Sequence, residues 1–401
     1  MSMQRNKDSL EALVAIRRHL HQHPELSGQE HQTARYIAEQ LAQLGLPFEL
    51  GQHGAATGVV GLVEGLAGPG PTLAWRADID ALPIVEETGA TYASKKSGVM
   101  HACGHDVHTT IGLGVAARLI EARHRLHGRV KLIFQPEEEG VPGSGVVGAE
   151  AMVRGGVLEN PRVDAIFAAH CMPSLPVETI GYRHTAMWAG SDAWTLTIRG
   201  RQSHGAYPQD GIDPIWIAGQ ILVALQGIPA RVVDSRRCCV LSVGRIEAGE
   251  AFNVIPETAK MVGLLRTLRD DVRSRALSAM KRCIDGICAA WGATAELSVS
   301  RGAEVTANEP ALVDKALGAL TLGVGRECLQ EVDPQMGAED FASFSRRRPA
   351  AYFLLGVGNP AEGIVHPIHS PRFDVDERCL PFAVEAFSEM LIELSRDGGI
   401  A

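Results

Sequence analysis

Short apolar runs, separated by helical patterns, recur along the chain. They lie at Thr72–Trp75, Val130–Phe134, Ala165–Ala169 and Tyr352–Leu355. Uninterrupted apolar runs of this length are typical of strands that are buried on both faces of a parallel sheet. Between the first two runs, apolar residues spaced four apart predict a helix over His108–Arg123. Strands that alternate with helices predict an α/β fold, with a mostly parallel sheet flanked by helices.

The middle of the chain follows a different pattern. The predicted elements are, in order, a strand at Trp194–Arg199, a helix at Pro214–Gly227, strands at Val240–Ile246 and Lys260–Arg266, a helix at Asp271–Trp291 and a strand at Thr294–Ser300. This β-α-β-β-α-β order is that of ferredoxin-like α+β domains. We therefore expect an inserted domain at 187-303, with 1-186 and 304-401 as two parts of the α/β domain.

Composition and charge exclude several classes of protein. Hydrophobic residues make up 45% of the 401 residues and charged residues 21%, which excludes a disordered chain. The 38 Lys and Arg against 47 Asp and Glu give a net charge of −9, which argues against nucleic acid as a partner. No apolar run is long enough for a membrane span, and the polar N-terminus lacks a signal-peptide core. We expect a cytoplasmic protein that binds no membrane.

Polar side chains follow the predicted strands at their carboxyl ends. Arg76, Asp78 and Asp80 follow the first apolar run, the segment Gln135-Pro136-Glu137-Glu138-Glu139 follows the second run, and His170 follows the third run. His366 and His369 lie in the loop after the fourth run. A further group, His101, Cys103, His105 and Asp106, precedes the predicted helix. Ligands of open α/β sheets bind beyond the carboxyl ends of the strands. Several separate segments therefore bring Asp, Glu, His and Cys to one edge of one sheet.

These residue types predict a transition-metal site. Thiolate, imidazole and carboxylate suit Zn²⁺, Mn²⁺ or Co²⁺ better than Ca²⁺ or Mg²⁺, and scattered ligands of mixed charge favour a catalytic site over a structural zinc knot. In the run of three glutamates, one carboxylate can bind metal while a neighbour acts as general base toward water. The pattern leaves open which glutamate has which role. It also leaves His366 and His369 as competitors for one role.

Motifs along nearly the whole chain resemble the dinuclear-metal aminoacylase and carboxypeptidase clan, in particular its amidohydrolase subfamily of hippurate, N-acyl-amino-acid and indoleacetyl-amino-acid hydrolases. The motifs are Arg17-Arg18-His19-Leu20-His21-Gln22-His23-Pro24-Glu25-Leu26, Arg76-Ala77-Asp78-Ile79-Asp80-Ala81-Leu82-Pro83, His101-Ala102-Cys103-Gly104-His105-Asp106, Phe134-Gln135-Pro136, Gln202-Ser203-His204-Gly205, Phe252-Asn253-Val254-Ile255-Pro256, Met336-Gly337-Ala338-Glu339-Asp340-Phe341 and His369-Ser370-Pro371-Arg372-Phe373-Asp374. The resemblance rests on the presence of all these motifs and on their order along the chain.

The resemblance implies a role for each matching residue. It implies two divalent metal ions in each subunit, Mn²⁺ or Zn²⁺, with Co²⁺ or Ni²⁺ as further options. It assigns Cys103 as the ligand that bridges the metals, His105 and His170 as ligands of one metal, and Glu139 and His369 as ligands of the other. Glu138 is the implied general acid and base, and Asp106 is a partner that orients a ligand histidine. The implied role of His204, as a catalytic group, and of Asn253, both in the inserted domain, is to stabilise the oxyanion of the reaction or to hold the substrate. The inserted domain is then a lid that also mediates formation of a homodimer or higher homo-oligomer.

The function implied is hydrolysis of a small N-acyl amino acid to a carboxylate and a free amino acid by a metal-dependent enzyme. Three alternatives stay open at this stage. The first is a metallo-dipeptidase or carboxypeptidase that acts on an unblocked peptide. The second is a catalytically silent metal- or peptide-binding relative, although no ligand or base is missing. The third is a hydrolase that uses Cys103 as nucleophile with His105 as base.

Overall fold

A computed structural model describes residues 2–140, 146 and 148–396 of the chain. The helices among them are α1 (Ser2–Gln22), α2 (His31–Gln43), α3 (His105–Glu121), α4 (Gly148–Arg154), α5 (Pro214–Arg231), α6 (Asp270–Ala290), α7 (Pro310–Val324), α8 (Ala342–Ser345) and α9 (Cys379–Ser395). Among these described residues, none of the helices combines the length and the apolar character that crossing a bilayer requires.

The strands, in chain order, alternate with these helices. They are β1 (Phe48–Leu50), β2 (Val59–Glu64), β3 (Thr72–Asp78), β4 (Arg129–Gln135), β5 (Ala165–Pro176), β6 (Ile180–Tyr182), β7 (Ala186–Trp188), β8 (Gly190–Arg199), β9 (Ser203–His204), β10 (Cys239–Ala248), β11 (Val254–Ile255), β12 (Thr258–Thr267), β13 (Thr294–Arg301), β14 (Thr306–Ala307), β15 (Leu329–Glu331) and β16 (Ala350–Gly358).

The chain divides into two compact units. The first takes in the described residues of 1–185, 307–333 and 340–401, and the second takes in 186–306 and 334–339. The predicted lid of 187-303 lies within the second unit. The structure adds Pro334–Glu339 to that unit, a segment that the sequence pattern left in the α/β domain. The role of the second unit as a lid stays a prediction.

The first unit is built on an eight-stranded mixed sheet in the order β1-β2-β4-β3-β5-β16-β6-β15. Its four central strands, β4, β3, β5 and β16, run parallel to one another. Every residue of β3 and of β16 is buried, which explains the apolar runs Thr72–Trp75 and Tyr352–Leu355 that they contain. The α/β fold with a mostly parallel sheet is therefore confirmed. Because the central strands are parallel, their carboxyl ends meet at one edge.

The second unit contains a four-stranded antiparallel sheet in the order β10-β12-β8-β13. With α5 and α6 the elements follow the predicted β-α-β-β-α-β order, and this strand order is that of a ferredoxin-like domain. The N-terminus of α5 is capped by the Asp213 carboxylate, which accepts hydrogen bonds from the backbone of Ile215 and Trp216. Apolar residues of both helices and of the inner strands form a core of this unit's own.

One predicted boundary was wrong in a way that matters for function. The sequence pattern predicts a helix from His108, but α3 begins at His105, one turn earlier. The helix is preceded by Gly104, whose φ of 86° lies in the left-handed region. A Cβ at this position would lie 3.0 Å from the Sγ of Cys171, so both the conformation and the space favour glycine. His105, Asp106 and His108 therefore all lie in the first turn of α3.

Candidate metal centre

Three buried side chains of the first unit form one cluster of possible metal ligands. They are Cys103, His105 and His170, and their ligand atoms all lie within 4.8 Å of one another. The Sγ of Cys103 lies 3.3 Å from the Nε2 of His170. Thiolate and imidazole are the ligands that zinc-like transition metals prefer. This cluster could therefore hold one divalent cation.

A second cluster shares Cys103 with the first. Its other members are Glu139 and His369, and again all ligand atoms lie within 4.8 Å of one another. The Nε2 of His369 lies 3.3 Å from the Sγ of Cys103 and 3.2 Å from the Oε1 of Glu139. A sulfur atom common to two adjacent clusters is placed as a bridging ligand would be. The side chain of His369 is 49% exposed, which leaves this cluster open to solvent on one side.

The parallel strands of the first unit explain why these residues meet. His170 lies in β5, Glu139 follows the end of β4, and His369 lies in the loop after β16. The backbone of His369 has a φ of 64°, a left-handed conformation that costs a residue with a Cβ about 1 kcal/mol. Its N–H donates to the carbonyl of Ala102 at 2.8 Å, which ties this loop to the segment that carries Cys103.

Glu138 lies beside both clusters. Its Oε2 is 3.8 Å from the Nε2 of His105, and its side chain is 8% exposed. One carboxylate oxygen of Glu138 also lies within 4.8 Å of a ring nitrogen of His105 and of a carboxylate oxygen of Glu139. Glu137, by contrast, enters no such cluster anywhere in the described part of the chain. The structure thus places Glu138, and not Glu137, next to the candidate ligands.

Asp80 is the orienting partner of His105, a role that the sequence did not assign. Its Oδ1 lies 3.1 Å from the Nδ1 of His105. Its Oδ2 accepts hydrogen bonds from the Oγ of Ser27 at 2.6 Å and from the backbone N–H of Glu139 at 3.0 Å. Metal-bound histidines commonly use their second ring nitrogen in this way, which fixes the tautomer and the ring orientation. The sequence shows Asp80 just beyond the carboxyl end of β3, but no sequence pattern identifies His105 as its partner.

Asp78 and His108 form a second buried pair behind the candidate ligands. The Nδ1 of His108 lies within a short hydrogen-bond distance of the Oδ1 of Asp78, and its Nε2 accepts from the backbone N–H of Cys171 at 2.8 Å. The other oxygen of Asp78 accepts from Arg76. Asp78 and His108 thus fix the base of the site, and neither was a predicted site residue.

Asp106 does not have the role that the resemblance implies. Its Oδ2 accepts from the Nε of Arg17 at 2.9 Å and lies 2.8 Å from the Nδ1 of His21, and neither of these residues is a candidate ligand. The reason is helical geometry. His105 and Asp106 are consecutive in α3, so their side chains point about 100° apart. Asp106 therefore faces α1, and His105 takes Asp80 as its partner.

The site is strongly negative, and this sets the protonation of its members. Burial opposes a charged His105, but Asp78 and Asp80 outweigh it and raise its pKa to about 10. Burial, together with the charges of Glu139 and Glu138, raises the pKa of the Cys103 thiol well above its usual value. Without a cation the protein would hold Cys103 as a neutral thiol, which argues against Cys103 as an unaided nucleophile.

A buried ring nitrogen in the site supports metal binding. The Nε2 of His105 is buried and has no hydrogen-bond partner among the described residues, although its Nδ1 is paired. Buried polar atoms are rarely left without a partner, and each exception calls for an explanation such as a missing ion. A cation at this nitrogen would satisfy it and would offset the negative charge around it. The residues present therefore fit a divalent metal.

Of the two competing histidines, His366 enters none of the ligand clusters in the described segments, whereas His369 enters one. His204 lies in the second unit on β9, which pairs with β11, and Asn253 immediately precedes β11. His204 pairs with Val254, and the N–H of Gly205 donates to the carbonyl of Asn253 at 2.7 Å. Both His204 and Asn253 are exposed, so their contact with substrate stays a prediction.

Comparison with known proteins agrees with this geometry. The model of Peptidase family M20/M25/M40 matches residues 74–393. Thermostable carboxypeptidase 1 of Saccharolobus solfataricus is 38% identical over 384 residues, which cover 96% of this chain and 95% of that protein. N-acetylcysteine deacetylase of Bacillus subtilis is 37% identical over 385 residues, which cover 95% of this chain and 96% of that protein.

A solved structure extends the likeness to three dimensions. The Bacillus subtilis YXEP protein, described as a dinuclear metal binding peptidase from the M20 family, superposes with a TM-score of 0.85 at 35% identity and covers 97% of this chain and 99% of its own. Both the sequence and the fold match over nearly the full length. The chain therefore belongs to peptidase family M20/M25/M40.

Proposed function

We propose that this enzyme is a metal-dependent amidohydrolase that cleaves N-acyl amino acids to a carboxylate and a free amino acid. The observation that carries the proposal is the pair of ligand clusters that share Cys103, with the Glu138 carboxylate beside them. The 37% identity to a protein named N-acetylcysteine deacetylase supports this class of substrate.

Two divalent cations, Mn²⁺ or Zn²⁺, are proposed for the two clusters, with Co²⁺ or Ni²⁺ as further options. His105 and His170 would hold one cation, Glu139 and His369 the other, and the thiolate of Cys103 would bridge them. When bound, such cations lower the pKa of water and polarise an amide carbonyl.

Glu138 would carry the proton in the reaction. Its carboxylate takes a proton from the attacking water and later delivers it to the leaving nitrogen of the amide. Its position, 3.8 Å from the Nε2 of His105, sets the carboxylate at the border of the ligand clusters. Asp80 would hold the His105 ring in the tautomer whose Nε2 faces the cation.

The second unit would act as a lid. His204 on β9 and Asn253, which immediately precedes the paired strand β11, would donate hydrogen bonds to the carbonyl oxygen of the substrate or hold the substrate. A homodimer through this unit is part of the proposal, because Trp216 and Trp291 expose about half of their surface there, in edge-to-face contact with each other. The cytoplasmic location stays a prediction.

The substrate class is tested with a panel. The purified enzyme is loaded with each metal and assayed against N-acetyl-, N-benzoyl- and indoleacetyl-amino acids beside plain dipeptides. Turnover of N-acyl amino acids that is abolished by chelator and restored by metal is the expected result. Activity that survives chelator but is lost on alkylation would instead support Cys103 as nucleophile.

The base is tested with Glu138→Gln, with Glu137→Gln as the matched control. Glu138→Gln is expected to keep its metal and to lose about 10²–10⁴ in kcat, because the amide cannot accept the proton. Glu137→Gln is expected to turn over at nearly the wild-type rate. The reverse pattern would move the general base to Glu137.

A carboxypeptidase is the second candidate, favoured by the 38% identity to a protein named thermostable carboxypeptidase 1. N-acylated dipeptides separate the two candidates. A carboxypeptidase releases the C-terminal amino acid from them, whereas the proposed amidohydrolase prefers a single acylated amino acid.

A further inference from the structure

Among the described residues, one backbone hydrogen bond closes the turn that carries Glu138 and Glu139. It follows β4, and the backbone of Glu137 there has a φ of 59° in the left-handed region, which disfavours a residue with a Cβ. The hydrogen bond across the turn, from the N–H of Gly140 to the carbonyl of Glu137, is long at 3.3 Å. Three consecutive glutamates also repel one another. Hydrogen bonds from groups outside the turn therefore add to its stability.

Two buried carboxylates hold the backbone of this turn. The Oε1 of Glu30 accepts from the N–H of Glu137 at 3.0 Å, and the Oδ2 of Asp80 accepts from the N–H of Glu139 at 3.0 Å. Glu138 lies between these two anchored residues. The direction of its side chain therefore depends on both anchors.

Glu30 is itself fully buried and held by two more donors. Its Oε1 also accepts from the N–H of Gly28 at 2.9 Å, and its Oε2 accepts from the Oγ1 of Thr57 at 2.9 Å. Burial and the nearby charge of Asp80 raise the pKa of Glu30 to about 7. A buried carboxyl group beside an acidic site is an unfavourable choice for stability alone, which points to a task at the turn.

A second buried glutamate in the same segment has a different task. The Oε2 of Glu25 accepts from the N–H of Gln32 at 2.8 Å, and from the N–H and the Oγ1 of Thr33 at 2.9 Å and 3.0 Å. Glu25 thus caps the N-terminus of α2, and none of these contacts involves the glutamate turn. Glu25 and Glu30 can therefore be compared directly, because the Glu25 carboxylate stabilises a helix of the fold and the Glu30 carboxylate contacts the turn at the site.

We infer that Glu30 is a positioning residue of the metal centre. By accepting the N–H of Glu137 it fixes the turn from which Glu138 and Glu139 project, and so sets where the proton carrier and one metal ligand lie. This inference rests on the proposed function, which assigns those roles to Glu138 and Glu139.

The test compares Glu30→Ala, Glu30→Gln and Glu25→Ala in the full chain. Affinity for Mn²⁺ and for Zn²⁺ is measured by competition with a chelator, alongside kcat, KM and Tm. Glu30→Ala is expected to weaken the more weakly held ion by about 10–100-fold, as loss of a partner of a metal ligand typically does. It is also expected to lower kcat by about 10–100-fold with a smaller change in KM, because Glu138 is displaced.

The two other variants separate positioning from folding. Glu30→Gln is expected to recover most of the kcat and metal affinity, because the amide oxygen still accepts the N–H of Glu137 and the amide nitrogen can donate to Thr57. Glu25→Ala is expected to lower Tm but to leave kcat and metal affinity within about twofold of wild type. If Glu30→Ala does not fold, Thr57→Val gives a milder loosening of Glu30 with the same direction of effect.

Two results would overturn the inference. One is wild-type kcat and metal affinity in Glu30→Ala, or in Thr57→Val if the first variant does not fold. The other is an equal loss of both quantities in Glu30→Ala and Glu25→Ala. If the wild-type protein itself bound neither Mn²⁺ nor Zn²⁺, the proposed function would fail instead, so the two failures are distinguishable.

Discussion

Replacing Arg17 with methionine is expected to destabilise the first unit strongly. The guanidinium is fully buried. Its Nε donates to Asp106 at 2.9 Å, one terminal nitrogen donates to Asp374 at 3.0 Å, and the other donates to Glu377 at 3.4 Å. Methionine would leave the buried Asp106 carboxylate with His21 as its remaining hydrogen-bonding partner.

The magnitude follows from the burial of both partners. Although burial opposes ionisation, Arg17 and His21 hold the pKa of Asp106 well below its usual range, so the carboxylate stays charged. Removing one partner of a buried ion pair typically costs about 3–5 kcal/mol. Arg18→Met is the matched control. Arg18 is 42% exposed and pairs with Glu377 at 2.7 Å, and such a surface pair is worth about 1 kcal/mol or less.

A double-mutant cycle isolates the pair between Arg17 and Asp106. Asp106→Asn removes the charge that Arg17→Met leaves unpaired, so the double variant is expected to lose less stability than the sum of the two single losses. A coupling energy of about 2 kcal/mol is expected, within the range of contacting residues. The double variant does not return to wild type, because Asp374 still lacks its guanidinium partner.

The measurement is urea unfolding of the metal-free protein, which removes any contribution of metal affinity to stability. Hydrogen exchange followed by mass spectrometry then shows whether the loss is concentrated in α1 and α3. A loss below about 1 kcal/mol for Arg17→Met would refute the reasoning, as would single losses that add to within about 0.5 kcal/mol.

Two further predictions concern the ligands and the buried histidine of α1. Cys103→Ala and His369→Ala are expected to lower the metal content measured by elemental analysis, whereas His366→Ala keeps it; metal retained without His369 but lost without His366 would reverse the assignment. Although burial opposes it, Asp106 raises the pKa of His21. The stability that a charged His21 contributes is therefore present below its unfolded pKa and is lost as the pH rises through its folded pKa. His21→Asn should then cost more free energy of unfolding at pH 6 than at pH 9, and an equal cost at both would contradict this.

The sequence was sufficient to predict the parallel sheet and the edge that carries the site. Strands β3 and β16 are buried throughout and β4 and β5 along most of their length, so each contains a short continuous apolar run. Once strands of this kind are taken as parallel, the polar residues at their carboxyl ends must meet. For this reason the sequence alone predicts that Cys103, His170 and the glutamate run lie at one edge of the sheet.

The partners of these residues could not be predicted, because they depend on where a helix begins. The apolar periodicity of α3 becomes visible only from Ile111 onward, so the pattern placed the start at His108, although the helix begins at His105. A shift of one turn decides which side chains share a face. His105 and His108, three residues apart in the helix, share one face with ring centroids 5.4 Å apart, whereas Asp106 faces Arg17.

The charge of the site gives the strongest physical reason for a resident cation. Asp78, Asp80 and Glu138 place carboxylates around the buried imidazole of His105, and Cys103 and Glu139 complete the set. Arg76 pairs with Asp78. Without a cation, His105 and Cys103 are protonated, as the raised pKa of each indicates. A protonated imidazole and a neutral thiol are not the forms that bind a metal. With divalent cations present, the same groups become deprotonated ligands and their mutual repulsion is offset. The geometry that is unfavourable for the empty protein is thus favourable for the metal-loaded one.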